Sequence, residues 1–221
     1  MQIADKLYAF LWNSSTINNC NTYLIDGPTR VLIDPGHLNL FEHVKKGLKS
    51  LGMEIPDIGL VITTHAHPDH IEAIQLFNKT ETLTALHEEE WKFVKEMRGF
   101  IDSVFGINID ALAPKFFLRE GDFAVDGLEL KVFHTPGHSP GSLSIYWPKQ
   151  KALFSGDLIF KNGIGRTDFP GGDSALLKKS IQRLKELEIE ILLSGHGEII
   201  SGAREVRTNF DTIERFWFSF L

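Results

Sequence analysis

The segment His65-Ala66-His67-Pro68-Asp69-His70 places four side chains that can bind metal ions within six residues. In an extended stretch, residues two apart point the same way, so His65 and His67 can approach one ion. Asp69 and His70 can then turn toward a second ion. Histidine is the commonest metal ligand in proteins. We therefore prefer metal binding to the alternative, a solvated polar loop with incidental histidines.

Three further sites combine glycine with a side chain that can bind metal, and each follows a predicted strand. They are Pro136-Gly137-His138, Ser155-Gly156-Asp157 and Ser194-Gly195-His196-Gly197. Glycine lets the backbone turn sharply and bring one side chain to a crowded centre, so the repetition predicts that these loops converge. Each of them alone would be an ordinary turn. Together with the first cluster they supply five histidines and two aspartates, enough for two ions with an open coordination position.

The chemistry that such a set predicts is hydrolysis. Two cations about 3.5–4 Å apart lower the pKa of a shared water toward neutrality and polarise an electrophilic carbonyl or phosphoryl oxygen. We expect two divalent metal ions. Zinc suits imidazole and carboxylate ligands best, and iron and manganese fit the same set. The single cysteine, Cys20, excludes an internal disulfide and a zinc site built on paired thiolates.

The elements that must position these side chains follow a strand-then-helix order in each half of the chain. In the first half we predict strands at 7–11, 21–25, 30–33, 58–62 and 83–86, and helices at 41–51, 71–77 and 88–97. In the second half we predict a second sheet with strands at 116–118, 123–125, 128–133, 142–146, 152–154 and 189–193, and helices at 174–187 and 203–218. Residues 99–114 are poorly patterned and are predicted as a loop over the site. This order predicts a single domain over 1–221, with two sheets packed face to face and helices outside.

The run Thr64 to His70, followed by His138, Asp157 and His196, resembles the metallo-β-lactamase superfamily. Residues 21–25 and 32–36 also resemble the opening strands of that superfamily. The resemblance implies an α+β fold, an αββα four-layer sandwich of two β-sheets with helices outside. It implies a first metal on His65, His67 and His138, a second on Asp69, His70 and His196, and Asp157 as the bridge between them.

Two aspartates receive further roles from the same resemblance. Asp34 is expected to steady the histidine loop from behind, because metal ligands need oriented partners. On residue chemistry alone, Asp34 could equally cap the turn before Pro35-Gly36. Asp69 is expected to carry a proton during catalysis as well as to bind metal.

Residues 157–173, with the sequence DLIFKNGIGRTDFPGGD, resemble the glyoxalase II (hydroxyacylglutathione hydrolase-like) branch and its relatives, which include persulfide dioxygenases. Arg166 stands where glyoxalase II enzymes have a basic residue that contacts glutathione, and its guanidinium can bind a substrate carboxylate. An ion pair between Arg166 and Asp168 that holds the loop explains the residue equally well.

Three features depart from the glyoxalase II pattern. Those enzymes tend to have a tyrosine after the basic residue. This chain has Thr167-Asp168 there, and in this respect its 163–169 loop resembles the dioxygenase-like relatives. The chain also ends soon after His196, before the longer helical region of many glyoxalase II enzymes. Finally, Ile71-Glu72-Ala73 replaces the small residues that commonly follow the Asp-His pair. Together these departures weaken the expectation that glutathione is recognised.

The leading hypothesis is a metal-dependent hydrolase, in which a metal-bound hydroxide attacks a thioester or a similarly activated acyl substrate. The first alternative is a mononuclear iron persulfide dioxygenase, with two histidines and one aspartate on the metal. The second is a noncatalytic metal-binding scaffold, since a fold does not establish an activity. The complete set of ligands argues against the scaffold.

We expect a small-molecule substrate, with no nucleic-acid or membrane partner. A net charge of -6 argues against a nucleic-acid surface. No apolar run approaches the roughly 20 residues that cross a bilayer, and the first residues lack a basic-then-apolar leader. We therefore expect a cytoplasmic protein with no membrane contact, rather than an exported β-lactamase.

The last residues of the chain are rich in aromatic side chains, namely Phe210, Phe216, Trp217, Phe218 and Phe220. We expect these side chains to pack in the core, and any that stay exposed would form a homodimer surface.

Overall fold

The structure, a computed structural model, describes residues 1–221. The chain divides into two compact units: unit 1 comprises Met1–Leu118 with Val125–Leu128, and unit 2 comprises Arg119–Ala124 with Glu129–Leu221. The expected α+β class, with two large β-sheets and helices, is confirmed. No helix is both long enough and apolar enough to cross a membrane. The single domain over 1–221 stays a prediction.

Unit 1 is built on a seven-stranded sheet whose strands lie side by side in chain order. They are β1 (Gln2–Ala4), β2 (Leu7–Phe10), β3 (Thr22–Asp26), β4 (Arg30–Ile33), β5 (Leu60–Ile62), β6 (Leu83–Leu86) and β7 (Phe116–Phe117). β1 to β4 pair antiparallel, and β4 to β7 pair parallel. Because β4 and β5 are parallel neighbours, Asp34 and His65 leave the sheet at the same edge.

The helices of unit 1 pack against a core cluster drawn from its sheet and its helical segments. They are α1 (Glu42–Ser50), α2 (Pro68–Ile71), α3 (Glu88–Glu96) and α4 (Arg98–Phe105). Ile71, Ile74 and Phe77 are buried, as their spacing predicts. However, α2 stops at Ile71, and Glu72–Phe77 continues as a 3-10 helix. A 3-10 helix has three residues per turn, which suits apolar residues three positions apart.

The prediction of a loop over 99–114 is wrong. The structure has α4 there, followed by a 3-10 turn at Ile109–Leu112. Arg98 donates hydrogen bonds of 2.6 and 3.0 Å to Asp110, which tie the two segments together. α4 leaves Phe100 and Val104 exposed, so its apolar residues do not mark a buried face and the usual helical signal fails.

The strand predicted at 116–118 belongs to the first sheet, not to the second. Phe116 pairs parallel with Ala85 of β6. A strand of two residues, with one half-buried and one exposed side chain, has no alternation from which its sheet could be assigned.

Unit 2 is built on a six-stranded sheet in the order β15-β14-β11-β10-β9-β8, and a separate hairpin pairs β12 with β13. The strands are β8 (Gly121–Val125), β9 (Leu128–His134), β10 (Leu143–Trp147), β11 (Ala152–Gly156), β12 (Ile159–Phe160), β13 (Gly163–Ile164), β14 (Ile191–Ser194) and β15 (Ile200–Ser201). β10 is antiparallel to both β9 and β11, and β11 is parallel to β14. β9, β11 and β14 therefore run in one direction and end at one edge of the sheet.

Two helices, α5 (Ser174–Leu184) and α6 (Ala203–Phe216), complete unit 2. Their buried apolar residues recur at spacings of three and four and join one core cluster with the strands. Of the closing aromatic residues, Phe210 is buried and Phe218 packs partly against this cluster, whereas Phe216, Trp217 and Phe220 are exposed. Core packing is thus confirmed for part of the set, and the homodimer stays a prediction.

Candidate metal centre

The four predicted ligands of the histidine loop, residues 65–70, lie together in unit 1. His65 Nε2 lies 3.1 Å from His67 Nδ1, and the ring centroids of His65 and His70 are 4.0 Å apart. Asp69 Oδ2 lies 3.9 Å from His70 Nε2. His65 is 1% exposed and His70 is 0% exposed. The loop therefore holds imidazole nitrogens and a carboxylate oxygen at the distances expected of atoms that bind one metal ion.

Asp34 lies behind the histidine loop, at the end of β4. Its carboxylate accepts hydrogen bonds from the main-chain N–H of Thr64 at 2.7 Å and from the Thr64 hydroxyl at 2.8 Å. Nδ1 of His70 lies 2.9 Å from the same carboxylate. Asp34 is 2% exposed and has a φ of 54°, a left-handed conformation in which aspartate is more frequent than most residues. Its contacts thus reach far beyond the local turn that it was also predicted to cap.

These hydrogen bonds decide which imidazole nitrogen carries the proton. An ionised carboxylate can only accept, so Nδ1 of His70 donates to Asp34. The Thr64 hydroxyl donates to Asp34, so its oxygen accepts from Nδ1 of His65, 3.1 Å away. In both histidines the lone pair is therefore left on Nε2, in the tautomer that can bind a metal ion.

Unit 2 brings His138, Asp157 and His196 together at the edge where β9, β11 and β14 end. Asp157 Oδ2 lies 3.6 Å from His138 Nε2 and 3.3 Å from His196 Nε2, so both imidazoles face one carboxylate oxygen. Two ligands bonded to one tetrahedral zinc ion at about 2.0–2.1 Å are separated by roughly 3.3 Å. The donor set and its spacing fit a divalent metal ion.

The main-chain carbonyl of Arg166 orients His138. Its oxygen lies 2.7 Å from Nδ1 of His138. Because a carbonyl can only accept, Nδ1 carries the proton and Nε2 holds the lone pair that faces Asp157. This contact was not predicted, since a main-chain acceptor leaves no signature in the residue type.

Two glycines allow the close approaches on which this group depends. A Cβ on Gly165 would lie 1.8 Å from the carbonyl oxygen of Asp157 and 3.1 Å from Nδ1 of His138. Gly137 has a φ of 137°, and a Cβ there would lie 2.2 Å from the main-chain nitrogen of Leu177. Any larger residue would displace the backbone at either position, so both positions require glycine for steric reasons.

The side chain of Arg166 pairs with Asp168. Nε and Nη2 donate to the two carboxylate oxygens at 2.9 and 2.6 Å, and the guanidinium carbon lies 4.2 Å from the ring centroid of Phe169. Hydrogen bonding to Arg166 lowers the pKa of Asp168 from 3.8 to about 2. The structure therefore contains the ion pair that was one interpretation of Arg166, and its contact with substrate stays a prediction.

Two other side chains contact the histidine loop and were not predicted. Asn18 Nδ2 donates to Asp69 Oδ2 at 2.8 Å, and Glu90 Oε1 accepts from the main-chain N–H of Ala66 at 2.9 Å. Glu90 lies four residues before the buried Val94 and so shares its face of α3, a signal that could have marked it as buried. Asn18 lies outside any periodic element, and its residue type gave no signal.

A sequence profile of the metallo-beta-lactamase superfamily matches residues 15–196, a span that contains both groups of predicted ligands. The chain belongs to the metallo-beta-lactamase superfamily. The probable metallo-hydrolase MJ0888 of Methanocaldococcus jannaschii is 36% identical over 187 residues, which cover 81% of this chain and 88% of that protein. The hydroxyacylglutathione hydrolase GloC of Haemophilus influenzae is 34% identical over 198 residues, 86% of this chain and 91% of GloC.

A solved relative agrees with this assignment. The crystal structure of the BLEG-1 B3 metallo-beta-lactamase matches with a TM-score of 0.75 at 32% sequence identity, over 92% of this chain and 97% of that one. The chain therefore has the fold that the resemblance implied. Two of its relatives are named as a probable metallo-hydrolase and a hydroxyacylglutathione hydrolase. The chain's own histidine and aspartate groups are compatible with divalent metal ions.

Proposed function

We propose that this metallo-beta-lactamase superfamily protein is a metal-dependent hydrolase of thioesters, similar to the hydroxyacylglutathione hydrolases. The observation that carries the proposal is the contact of Nδ1 with a protein oxygen in His65, His70 and His138, from which the tautomer follows. In each of them, Nδ1 is engaged by a protein oxygen and Nε2 keeps its lone pair. The relative GloC, named as a hydroxyacylglutathione hydrolase, supports the substrate class.

We propose further that the two groups together form one centre for two ions. His65, His67 and His138 would hold the first, Asp69, His70 and His196 the second, and Asp157 would bridge them. The superfamily profile supports this because it spans all seven residues. Imidazole and carboxylate donors favour zinc, and iron and manganese suit them as well. Such ions supply an activated water and polarise the acyl oxygen of the substrate.

The chain's own residues would then orient ligands and move protons. Asp34 and the carbonyl of Arg166 keep the imidazoles in the binding tautomer. Asp69 Oδ2, which accepts a hydrogen bond from Asn18, would take a proton from the attacking water and return it to the leaving sulfur. The water oxygen bonds to the acyl carbon and the carbon–sulfur bond breaks. The products are a carboxylic acid and a thiol.

Arg166 would contact an anionic group of the substrate. Its guanidinium is already bound side-on by Asp168, in the bidentate geometry that a substrate carboxylate would use. A substrate carboxylate would therefore compete with Asp168 for the same edge. The side chains of Arg166 and Asp168 are each more than half exposed, so replacing Asp168 by a substrate carboxylate would cost little free energy.

The test is thiol release from a hydroxyacylglutathione thioester by the zinc-loaded protein, with oxygen monitored in the same vessel. We expect thiol release without oxygen uptake. His67→Ala should abolish it, whereas His43→Ala, which alters a histidine outside both groups that packs against Trp12, should leave it intact. Retention of full thioester hydrolysis by His67→Ala would contradict the proposal.

Two further substrates separate the competing activities. Glutathione persulfide tests the dioxygenase, and oxygen consumption with this compound in the absence of thioester hydrolysis would overturn the hydrolase proposal. A cephalosporin tests the activity for which BLEG-1 is named. Opening of the β-lactam ring without thioester hydrolysis would keep the hydrolase and overturn the substrate class.

A further inference from the structure

Glu90 is a buried carboxylate for which neither the proposed centre nor the proposed reaction has a use. It lies in the first turn of α3 and is 1% exposed. Taking an ionised carboxylate out of water costs several kcal/mol unless hydrogen bonds compensate for the lost hydration. Its neighbours Glu88 and Glu89 are exposed, so burial is specific to this one residue of the acidic run. The position therefore calls for a role that its neighbours lack.

Glu90 contacts the histidine loop through one of its carboxylate oxygens. Oε1 accepts a hydrogen bond of 2.9 Å from the main-chain N–H of Ala66, 24 residues earlier in the chain. Ala66 is the residue between the predicted ligands His65 and His67. Its own side chain packs against the core cluster of unit 1. Ala66 is thus anchored on one side by the core and on the other by a carboxylate.

This anchor controls how two imidazoles are presented. The peptide unit that joins His65 to Ala66 is planar, so fixing the direction of the Ala66 N–H fixes the plane between the two residues. The backbone between His65 and His67, which includes this peptide unit, sets where the two imidazoles lie. In the structure the result is a separation of 3.1 Å between His65 Nε2 and His67 Nδ1.

We propose that Glu90 is a positioning residue that holds His65 and His67 in their metal-binding arrangement. The inference rests on the proposed metal centre and adds to it a residue that touches neither ion nor substrate. Glu90 acts through the Ala66 main chain. Its removal therefore weakens metal binding while every ligand is still present.

A purely local role for Glu90 makes a different prediction. An acidic residue in the first turn of a helix stabilises it through the helix dipole, by about 0.3–1 kcal/mol. Glu88 and Glu89 occupy the same turn of α3 and would provide the same stabilisation. Glu89→Ala is therefore a matched control, because it removes an acid from that turn without changing the contact with Ala66.

The experiment measures the dissociation constant for zinc by competition with a chromogenic chelator, on folded protein first stripped of metal. We expect Glu90→Ala to weaken zinc binding by roughly 10–100-fold, the range usual for residues that support metal ligands. Glu90→Gln keeps an oxygen that can accept the Ala66 N–H and should retain most of the affinity. Glu89→Ala should bind like the unaltered protein.

Two results would overturn the inference: unchanged zinc affinity in Glu90→Ala, or an equal loss in Glu89→Ala. The free energy of unfolding of the metal-free proteins is measured alongside, and a loss confined to that quantity would also overturn it. If Glu90→Ala does not fold, Glu90→Asp carries the same prediction, since it keeps the charge and shortens the side chain by one methylene. Failure of the unaltered protein to bind zinc would instead overturn the proposed function.

Discussion

The main-chain carbonyl oxygen of Arg166 lies 2.7 Å from Nδ1 of His138. The loop whose side chain is proposed to contact substrate therefore also orients a proposed metal ligand through its backbone. Gly165, the preceding residue, lies directly against the carbonyl of Asp157. A change in this loop should consequently affect metal binding as well as substrate affinity.

Gly165→Ala tests this coupling. A Cβ at this position would lie 1.8 Å from the carbonyl oxygen of Asp157, so the loop must move and carry the Arg166 carbonyl away from His138. We expect zinc affinity to fall by about 10-fold or more. The matched control is Gly163→Ala, where the nearest atom, Cβ of Phe160, would lie 3.8 Å away. Equal zinc affinity in the two variants, measured by chelator competition, would refute the coupling.

Asp34→Asn tests the network behind the histidine loop. Asparagine tolerates the left-handed φ of this position, so the substitution changes hydrogen bonding and charge rather than backbone strain. The amide cannot accept from Thr64 and His70 as the carboxylate does, and we expect about 1–3 kcal/mol less stability in chemical denaturation of the metal-free protein. Zinc affinity should fall as well. Asp126→Asn, at an exposed position with a φ of 46°, is the control. Its amide oxygen can still accept the hydrogen bond from Thr29, so neither quantity should change.

Asp168→Asn tests competition for the guanidinium of Arg166. Removing the charge of Asp168 weakens the ion pair and leaves the Nε and Nη2 edge for a substrate carboxylate. We expect KM for a carboxylate-bearing thioester to fall by up to about five-fold, because an exposed ion pair contributes only weakly. KM for an uncharged thioester should not change. A rise in KM for the charged substrate would show that Asp168 positions Arg166 instead of competing for it.

The same ion pair makes a prediction about pH. The pKa of Asp168 is lowered to about 2 because Arg166 hydrogen-bonds its charged form. A group whose pKa falls on folding contributes stability that is present above its ordinary value of 3.8 and is lost as the pH falls through about 2. The carboxyl carbon of Asp168, followed by NMR, should titrate near 2, and near 3.8 in Arg166→Ala. A midpoint of 3.8 in the unaltered protein would contradict the pairing.

The proposed metal ligands stand out in the sequence because their residue types carry the signal. His65 and His67 stand directly after the apolar strand β5, and Asp157 stands after β11 beside a glycine. Imidazoles and carboxylates at strand ends are informative without any knowledge of contacts. A buried strand such as Leu60–Ile62 could be predicted because it is apolar throughout. The short strands β1, β12, β13 and β15, of two or three residues each, were not predicted.

The residues that support the ligands could not be predicted in the same way. Arg166 orients His138 through its main chain, which is identical in every residue type. Glu90 and Asn18 reach the histidine loop from 24 and 51 residues away in sequence, and such contacts depend on tertiary packing. α4 was missed because most of its apolar side chains, among them Phe100 and Val104, are exposed and only Ile101 packs partly against the core.

Counting metal ions tests most simply whether the seven histidine and aspartate side chains form one centre for two ions. Elemental analysis of the zinc-loaded protein, after removal of loosely bound metal, gives the number of ions per chain. We expect two ions in the unaltered protein and fewer than two in Asp157→Ala, which lacks the proposed bridge. No bound zinc in the unaltered protein, or two ions retained by Asp157→Ala, would contradict it.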